Sequence, residues 1–248
     1  MRIDILGVGI DTLNRKETLD KALGYIKADE RKCKLIATPN PEIIMRARDD
    51  EEFAKVMGRM DLVIPDGVGV VWASKLGKEQ LRESVPGCDL CFQIFEQMKD
   101  MESKRAYILG AAPNVAELAK TKMEERFHGL DICGVRNGYF GADEEEDIAA
   151  EINKLRPDIL LVGLGSPRQE KWIDKYKGNL DVNLAIGCGG TIDVMAGTVK
   201  RAPMIFRRLG FEWFYRLISQ PSRFLRMLVL PKFVFIVVFE SVFGKKKW

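Results

Sequence analysis

Ile159-Leu160-Leu161-Val162 runs directly into Gly163-Leu164-Gly165-Ser166-Pro167-Arg168-Gln169-Glu170-Lys171-Trp172. Four apolar residues with no polar alternation read as a strand buried on both faces. The glycines that follow permit a tight turn or close backbone approach to a ligand. Pro167 is suited to the first turn of a helix, and Trp172 reads as core. The unit is strand, glycine-rich turn, helix: the repeating step of a parallel sheet.

The same step recurs outward in both directions. Short apolar, β-rich runs fall at residues 3–8, 34–37, 62–64, 106–109, 132–135 and 184–186, separated by helix-length segments such as 115–127 and 144–155. This alternation predicts an α/β, Rossmann-like, mainly parallel sheet with helices on both faces. Neither an internal repeat nor a low-complexity linker breaks the chain, and composition shifts once, near Arg201. We therefore expect an α/β domain over residues 1–200 and a basic, apolar helical appendage over 201–248.

Ligands of open parallel sheets bind outside the carboxyl ends of the strands. Here the residues after each run are polar and glycine-rich: Thr38-Pro39-Asn40-Pro41, Pro65-Asp66-Gly67, Gly110-Ala111-Ala112-Pro113, Arg136-Asn137-Gly138-Tyr139, the 163–169 turn, and Gly187-Cys188-Gly189-Gly190-Thr191. Asp66 stands where a strand gives way to a helix, as a general base would or as an Asp-Gly turn or helix cap would. Thr38 and Asn40, on a loop stiffened by two prolines, either orient a sugar or merely end a strand. Gly110 opens a helix whose amides could hold a diphosphate, or forms an ordinary turn. Gly165 and Gly189 allow a ligand close to the backbone. Asp193 suits sugar or ribose hydroxyls, or the first turn of a helix. The acid run at residues 143–147 reads as a solvated helix start.

Several classes are disfavoured. No Walker motif, GxGxxG or Asp-x-Asp occurs, which argues against a P-loop kinase, a dinucleotide enzyme and a metal-held sugar diphosphate. The five cysteines include one CxxC, Cys88 to Cys91, without a second pair, and the lone histidine is His128, so no metal site or disulfide framework is expected. The N-terminus lacks a signal peptide's apolar core, so a cytoplasmic location is expected.

Net charge is +3, but residues 201–248 carry +8, leaving −5 on the first 200. This tail interleaves Arg207, Arg208, Arg216, Arg223, Arg226 and Lys232 with Phe206, Trp213, Phe214, Tyr215, Phe224, Phe233, Phe235 and Phe239. Its longest charge-free apolar stretch, 233–239, falls well short of the ~20 residues that span a bilayer. The composition fits an interfacial membrane segment. The competing readings are a helix docked on the main domain and a nucleic-acid patch. Aromatic density beyond what phosphate tracking needs weighs against nucleic acid. Such a tail could also pack against a second copy.

Taken in order, the motifs resemble those of the WecG/TagA/CpsF family of bacterial glycosyltransferases (glycosyltransferase family 26). The likeness rests on Thr38-Pro39-Asn40, Pro65-Asp66-Gly67, Pro86-Gly87-Cys88-Asp89, Gly138-Tyr139-Phe140, the 163–172 segment, 189–193, Ala196-Gly197, Arg201-Ala202-Pro203 and Glu212-Trp213-Phe214-Tyr215-Arg216-Leu217. It spans nearly the whole chain. The resemblance implies an inverting, metal-independent transferase without cofactor, in which Asp66 is the base and Thr38 and Asn40 act beside it. Gln169, with Thr38 and Asn40, matches polar residues of the substrate pocket, and the strand-end residues Gly110, Asn137, Tyr139, Gly165, Gly189 and Asp193 are expected to bind substrate with them. Arg216, Arg223 and Arg226 would reach a substrate diphosphate from the membrane-associating tail.

The implied reaction moves N-acetylmannosamine from a UDP-sugar donor to undecaprenyl-diphosphate-linked N-acetylglucosamine at the inner membrane face, as in teichoic acid synthesis. Use of another UDP-sugar, such as the uronic acid form, or ligand binding without turnover, are the alternatives. Three positions depart from the family pattern: Ser84 where arginine is usual, with Arg82 two places out of register, Ala111 where a second glycine is usual, and Gln220 for glutamate.

Overall fold

The structure, a computed structural model, describes residues 1–208, 212–219 and 228–243. The first apolar run is not the continuous strand that its composition suggests. Strands β1 (Arg2–Ile5) and β2 (Val8–Asp11) form an antiparallel hairpin apart from the main sheet. The chain reverses at Leu6 and Gly7, with φ of 54° and 90°, the positive pair that a tight two-residue hairpin demands. The Asp4 carboxylate accepts the Gly7 N–H at 2.9 Å and holds the turn.

After α1 (Arg15–Lys27), whose Asn14 and Glu17 form a reciprocal capping box, comes the main sheet. Its strands are β3 (Lys34–Ala37), β4 (Leu62–Val63), β5 (Arg105–Gly110), β6 (Asp131–Arg136), β7 (Ile159–Gly163) and β8 (Leu184–Gly187). All pair in parallel, in the order β4-β3-β8-β7-β5-β6. The expected Rossmann-like α/β architecture is present. The hairpin finishes its β4 edge: the Asp11 carboxylate accepts the Val63 N–H at 2.8 Å and pairs with Arg2 at 3.0 Å, covering an edge amide that would otherwise seek a partner.

Alternate residues of each strand serve opposite faces. Leu35, Val63, Leu109, Leu160, Val162 and Ala185 join the core on one side, and Ile36, Leu62, Ile108, Ile159, Leu161 and Ile186 join the other. Burying each valine, leucine or isoleucine among them contributes about 1.5–3 kcal/mol. The first side is covered by the hairpin, α2 (Pro41–Asp49), α3 (Glu51–Gly58), α4 (Val68–Ser74), α7 (Glu145–Leu155) and α8 (Arg168–Tyr176); the second by α1, α5 (Gly87–Met98), α6 (Val115–Arg126) and α9 (Thr191–Ala196). The acid run at 143–147 does open α7.

The C-terminal part contributes α10 (Met204–Arg208), α11 (Glu212–Ser219) and α12 (Val229–Phe243). Helix α12 docks on α2: Phe233 and Val237 are 1% and 0% exposed within the first core, and Arg48 pairs with Glu240 at 2.6 Å. Its other face is bare, with Phe235, Phe239 and Phe243 at 68%, 51% and 75% exposure, stacked one turn apart. No helix among the described residues is long and apolar enough to cross a membrane.

Candidate active site

Every strand of the main sheet points its carboxyl end to the same edge, so the six polar loops singled out in the sequence converge there. Hydrogen bonds knit them together. The Thr38 hydroxyl, at the end of β3, donates to the Gly187 carbonyl at the end of β8 at 3.1 Å. The Asp66 N–H donates to the Pro39 carbonyl at 3.1 Å, joining the β3 and β4 loops. The Ala111 N–H donates to the Gly163 carbonyl at 3.1 Å and the Gly138 N–H to the Ala111 carbonyl at 2.8 Å, joining the loops after β5, β7 and β6. Gln169 Oε1 accepts the Gly189 N–H at 3.0 Å, joining β7 to β8.

Asp66 is half-buried and is followed by Gly67, the N-cap of α4. Its loop is held on the far side by Ser84, whose hydroxyl accepts the Gly67 N–H at 2.9 Å and lies 3.4 Å from the Pro65 carbonyl. The serine at the departing position therefore braces the loop that carries the carboxylate. Arg82 does not substitute for the missing arginine, since it pairs with Glu17 at 3.0 Å. Arg15 comes nearer: its Nε donates to the Ser84 carbonyl at 2.9 Å.

Asn40 caps α2, its side-chain oxygen accepting the Ile43 N–H at 3.0 Å. Thr38 is 7% exposed and touches the start of α5 so closely that a Cβ on Gly87 would lie 2.7 Å from its methyl group. Beside these loops Cys91 and Cys188 are buried thiols, and burial pushes both pKa values up.

On the other wing, Gly110 has φ of 138° and a Cβ there would strike the Gly163 backbone at 2.5 Å, so only glycine fits. Ala111 follows at φ 62°, in the left-handed region where the family pattern places glycine. The Asn137 side chain accepts the Tyr139 N–H at 2.9 Å, and Tyr139 projects outward at 75% exposure. Arg168, which the sequence did not mark, pins this loop: it donates to the Gly138 and Phe140 carbonyls at 3.0 and 2.9 Å and lies over the Phe140 ring at 4.4 Å.

Gly165, at φ 77°, starts the turn into α8, and its carbonyl accepts the Gln169 N–H at 3.0 Å. Gln169 is 2% exposed, its amide enclosed between loops. Asp193 lies in the first turn of α9. At the start of the appendage, Arg201 pairs with Asp89 of α5 at 2.5 Å, a link between two motifs that the sequence could not connect. Arg216 falls on α11, whereas Arg223 and Arg226 lie outside the described residues.

The edge thus gathers the half-buried carboxylates Asp66 and Asp193, hydroxyl and amide side chains, and glycine turns. That set suits a sugar and a diphosphate better than a redox cofactor. Comparison with known proteins agrees. The model of the glycosyl transferase WecG/TagA/CpsF family matches residues 3–247. Three relatives bear the name N-acetylglucosaminyldiphosphoundecaprenol N-acetyl-beta-D-mannosaminyltransferase. The protein from Bacillus spizizenii is 37% identical over 210 residues, 85% of this chain and 80% of the relative. That from Bacillus subtilis is 35% identical over 213 residues, covering 86% and 82%. That from Staphylococcus aureus strain MW2 is 30% identical over 234 residues, covering 94% and 91%. With the match running through every loop of the site, the chain belongs to the WecG/TagA/CpsF family of glycosyltransferases.

Proposed function

We propose that this protein transfers N-acetylmannosamine from UDP-N-acetylmannosamine to N-acetylglucosamine on undecaprenyl diphosphate, the linkage step of teichoic acid synthesis. The observation that carries the reading is the 37% identity to a relative named for this acceptor and sugar, over 85% of the chain. The position of Asp66 within the strand-end cluster supports it.

In the proposed reaction an acceptor hydroxyl attacks the anomeric carbon of the donor from the face opposite the diphosphate. A C–O bond forms, the bond to UDP breaks, and configuration inverts. The hydroxyl proton passes to the Asp66 carboxylate, a role for which one carboxylate in hydrogen-bond reach suffices. Thr38 and Asn40 order the acceptor side. Gly110, Gly165, Gly189, Asn137, Tyr139 and Asp193 form the donor side. Charge developing on the leaving diphosphate is balanced by backbone amides at the helix starts and by Arg216, Arg223 and Arg226 of the tail, in place of a metal. The absence of Asp-x-Asp from the sequence favours this arrangement.

Residues 1–200 act as the catalytic domain and 201–248 as an appendage that completes the site and rests on the inner face of the cell membrane. The bare phenylalanine ladder of α12 and the +8 charge of the tail support peripheral attachment, each near-surface base adding about 1 kcal/mol on anionic lipid. Without a membrane the same face pairs with another copy, and a monomer by light scattering in detergent-free buffer would contradict that. The activity is tested by UDP release from UDP-N-acetylmannosamine, with and without a lipid-diphosphate-N-acetylglucosamine analogue and EDTA. Acceptor-dependent release that survives EDTA is expected. Release only from the uronic acid donor would reassign the sugar, and release from neither would leave a binding protein.

A further inference from the structure

Glu170 is a buried carboxyl to which the reaction gives no task. It is 1% exposed on the first turn of α8. Its Oε1 accepts a hydrogen bond from Gln169 Nε2 at 2.8 Å, while Oε2 has no well-aligned partner and only the Ser166 hydroxyl beside it. A buried carboxyl paired this poorly is costly to keep, so it needs a return elsewhere. Arg46 of α2, which donates to the Ser166 carbonyl, places a positive charge near it.

The return lies in the orientation of the neighbouring amide. A glutamine side chain presents an acceptor at one end and a donor at the other. Gln169 turns its oxygen to the Gly189 N–H and its nitrogen to Glu170. Flipped by half a turn, the amide would set its NH₂ against the Gly189 N–H, donor to donor. At the other end the flip would set its oxygen against the Glu170 carboxylate, acceptor to acceptor, so an acceptor at position 170 reinforces the observed orientation. The space is tight as well, because a Cβ on Gly187 would lie 3.0 Å from Gln169 Nε2. Gly189 in turn crowds the end of β7, its carbonyl 2.8 Å from where a Gly163 Cβ would sit.

We propose that Glu170 is a positioning residue that fixes the Gln169 amide and, through it, the Gly189 turn of the donor side. Gln169 then serves the site through the backbone that it holds. The inference deepens the donor-binding reading and rests on it for its functional consequence, while its structural part stands alone.

The test uses the full chain and two readouts: hydrogen exchange at the Gly189 amide and UDP affinity by calorimetry. Glu170→Leu should speed Gly189 exchange and weaken UDP binding, each by about tenfold, the equivalent of roughly 1.4 kcal/mol. Glu170→Gln keeps an acceptor and should restore both. In a Gln169→Leu background, Glu170→Leu should add nothing, since the two act as one unit. Gly187→Ala, which presses on the amide from the other side, should reproduce the exchange effect if Glu170→Leu does not fold. Unchanged Gly189 exchange in the folded variants, or effects of the two substitutions that simply add, would overturn the proposal. Faster exchange in a protein whose natural form binds no UDP would keep the brace and reject the donor reading.

Discussion

Ala111 holds a left-handed φ of 62° one residue after a glycine that nothing else can replace. A Cβ in that region costs about 1–2 kcal/mol. Ala111→Gly should therefore recover on the order of 1 kcal/mol, less the added freedom of the unfolded chain, and raise Tm by about 2–4 °C in a scanning melt. A lower Tm would show that the alanine methyl packs usefully. Glu170 makes a pH prediction. Burial is the leading influence on it and raises its pKa, with Gln169 and Arg46 acting the other way. A carboxyl whose folded pKa lies above its unfolded value contributes stability below the unfolded value, and that contribution is lost as pH rises through the folded one. Glu170→Gln should thus gain in Tm relative to the natural protein as pH is raised through that window, and a gap independent of pH would contradict it. Neither Glu170 nor Ser84 was legible as a working residue in the sequence, because their partners are Gln169, Gly189 and Gly67 brought together by the fold. Asp66, Thr38 and Gly189 were legible as candidates because strand ends are marked by local composition alone.

The parallel elements were readable for a related reason. A strand buried on both faces must be apolar throughout, and runs such as Leu160 to Val162 leave little alternative. The hairpin at residues 2–11 escaped because Leu6, apolar and not glycine, occupies the positive-φ position and disguises the turn as strand. In the tail, the docked-helix reading holds for α12, which packs one face on α2; the membrane reading is a proposal for the face left bare. The two faces should respond differently to mutation. Phe235→Ser with Phe239→Ser should leave Tm nearly unchanged and reduce flotation with anionic vesicles. Phe233→Ala should cost about 3–5 kcal/mol, read by denaturant melts. Vesicle binding indifferent to the exposed pair would remove α12 from the membrane contact.

At the scale of the whole molecule, one geometric fact organises the protein: a parallel sheet delivers all its loops to one edge, and the basic appendage begins beside that edge, where Arg201 meets Asp89. The charge divides into −5 on residues 1–200 and +8 on the tail, and under the proposed function these would face a sugar nucleotide in water and an anionic lipid surface. Raising salt should weaken vesicle association by screening the tail, while UDP affinity in detergent changes less. Equal salt sensitivity would argue that the tail's charge serves the nucleotide alone. If Asp66 takes the acceptor proton, acceptor-dependent turnover must depend on its carboxylate, and Asp66→Asn removes that carboxylate alone. The expected result is a fall in kcat of about 10²–10⁴-fold with UDP affinity held within about threefold. Turnover at the natural rate would contradict it and remove Asp66 from the base role.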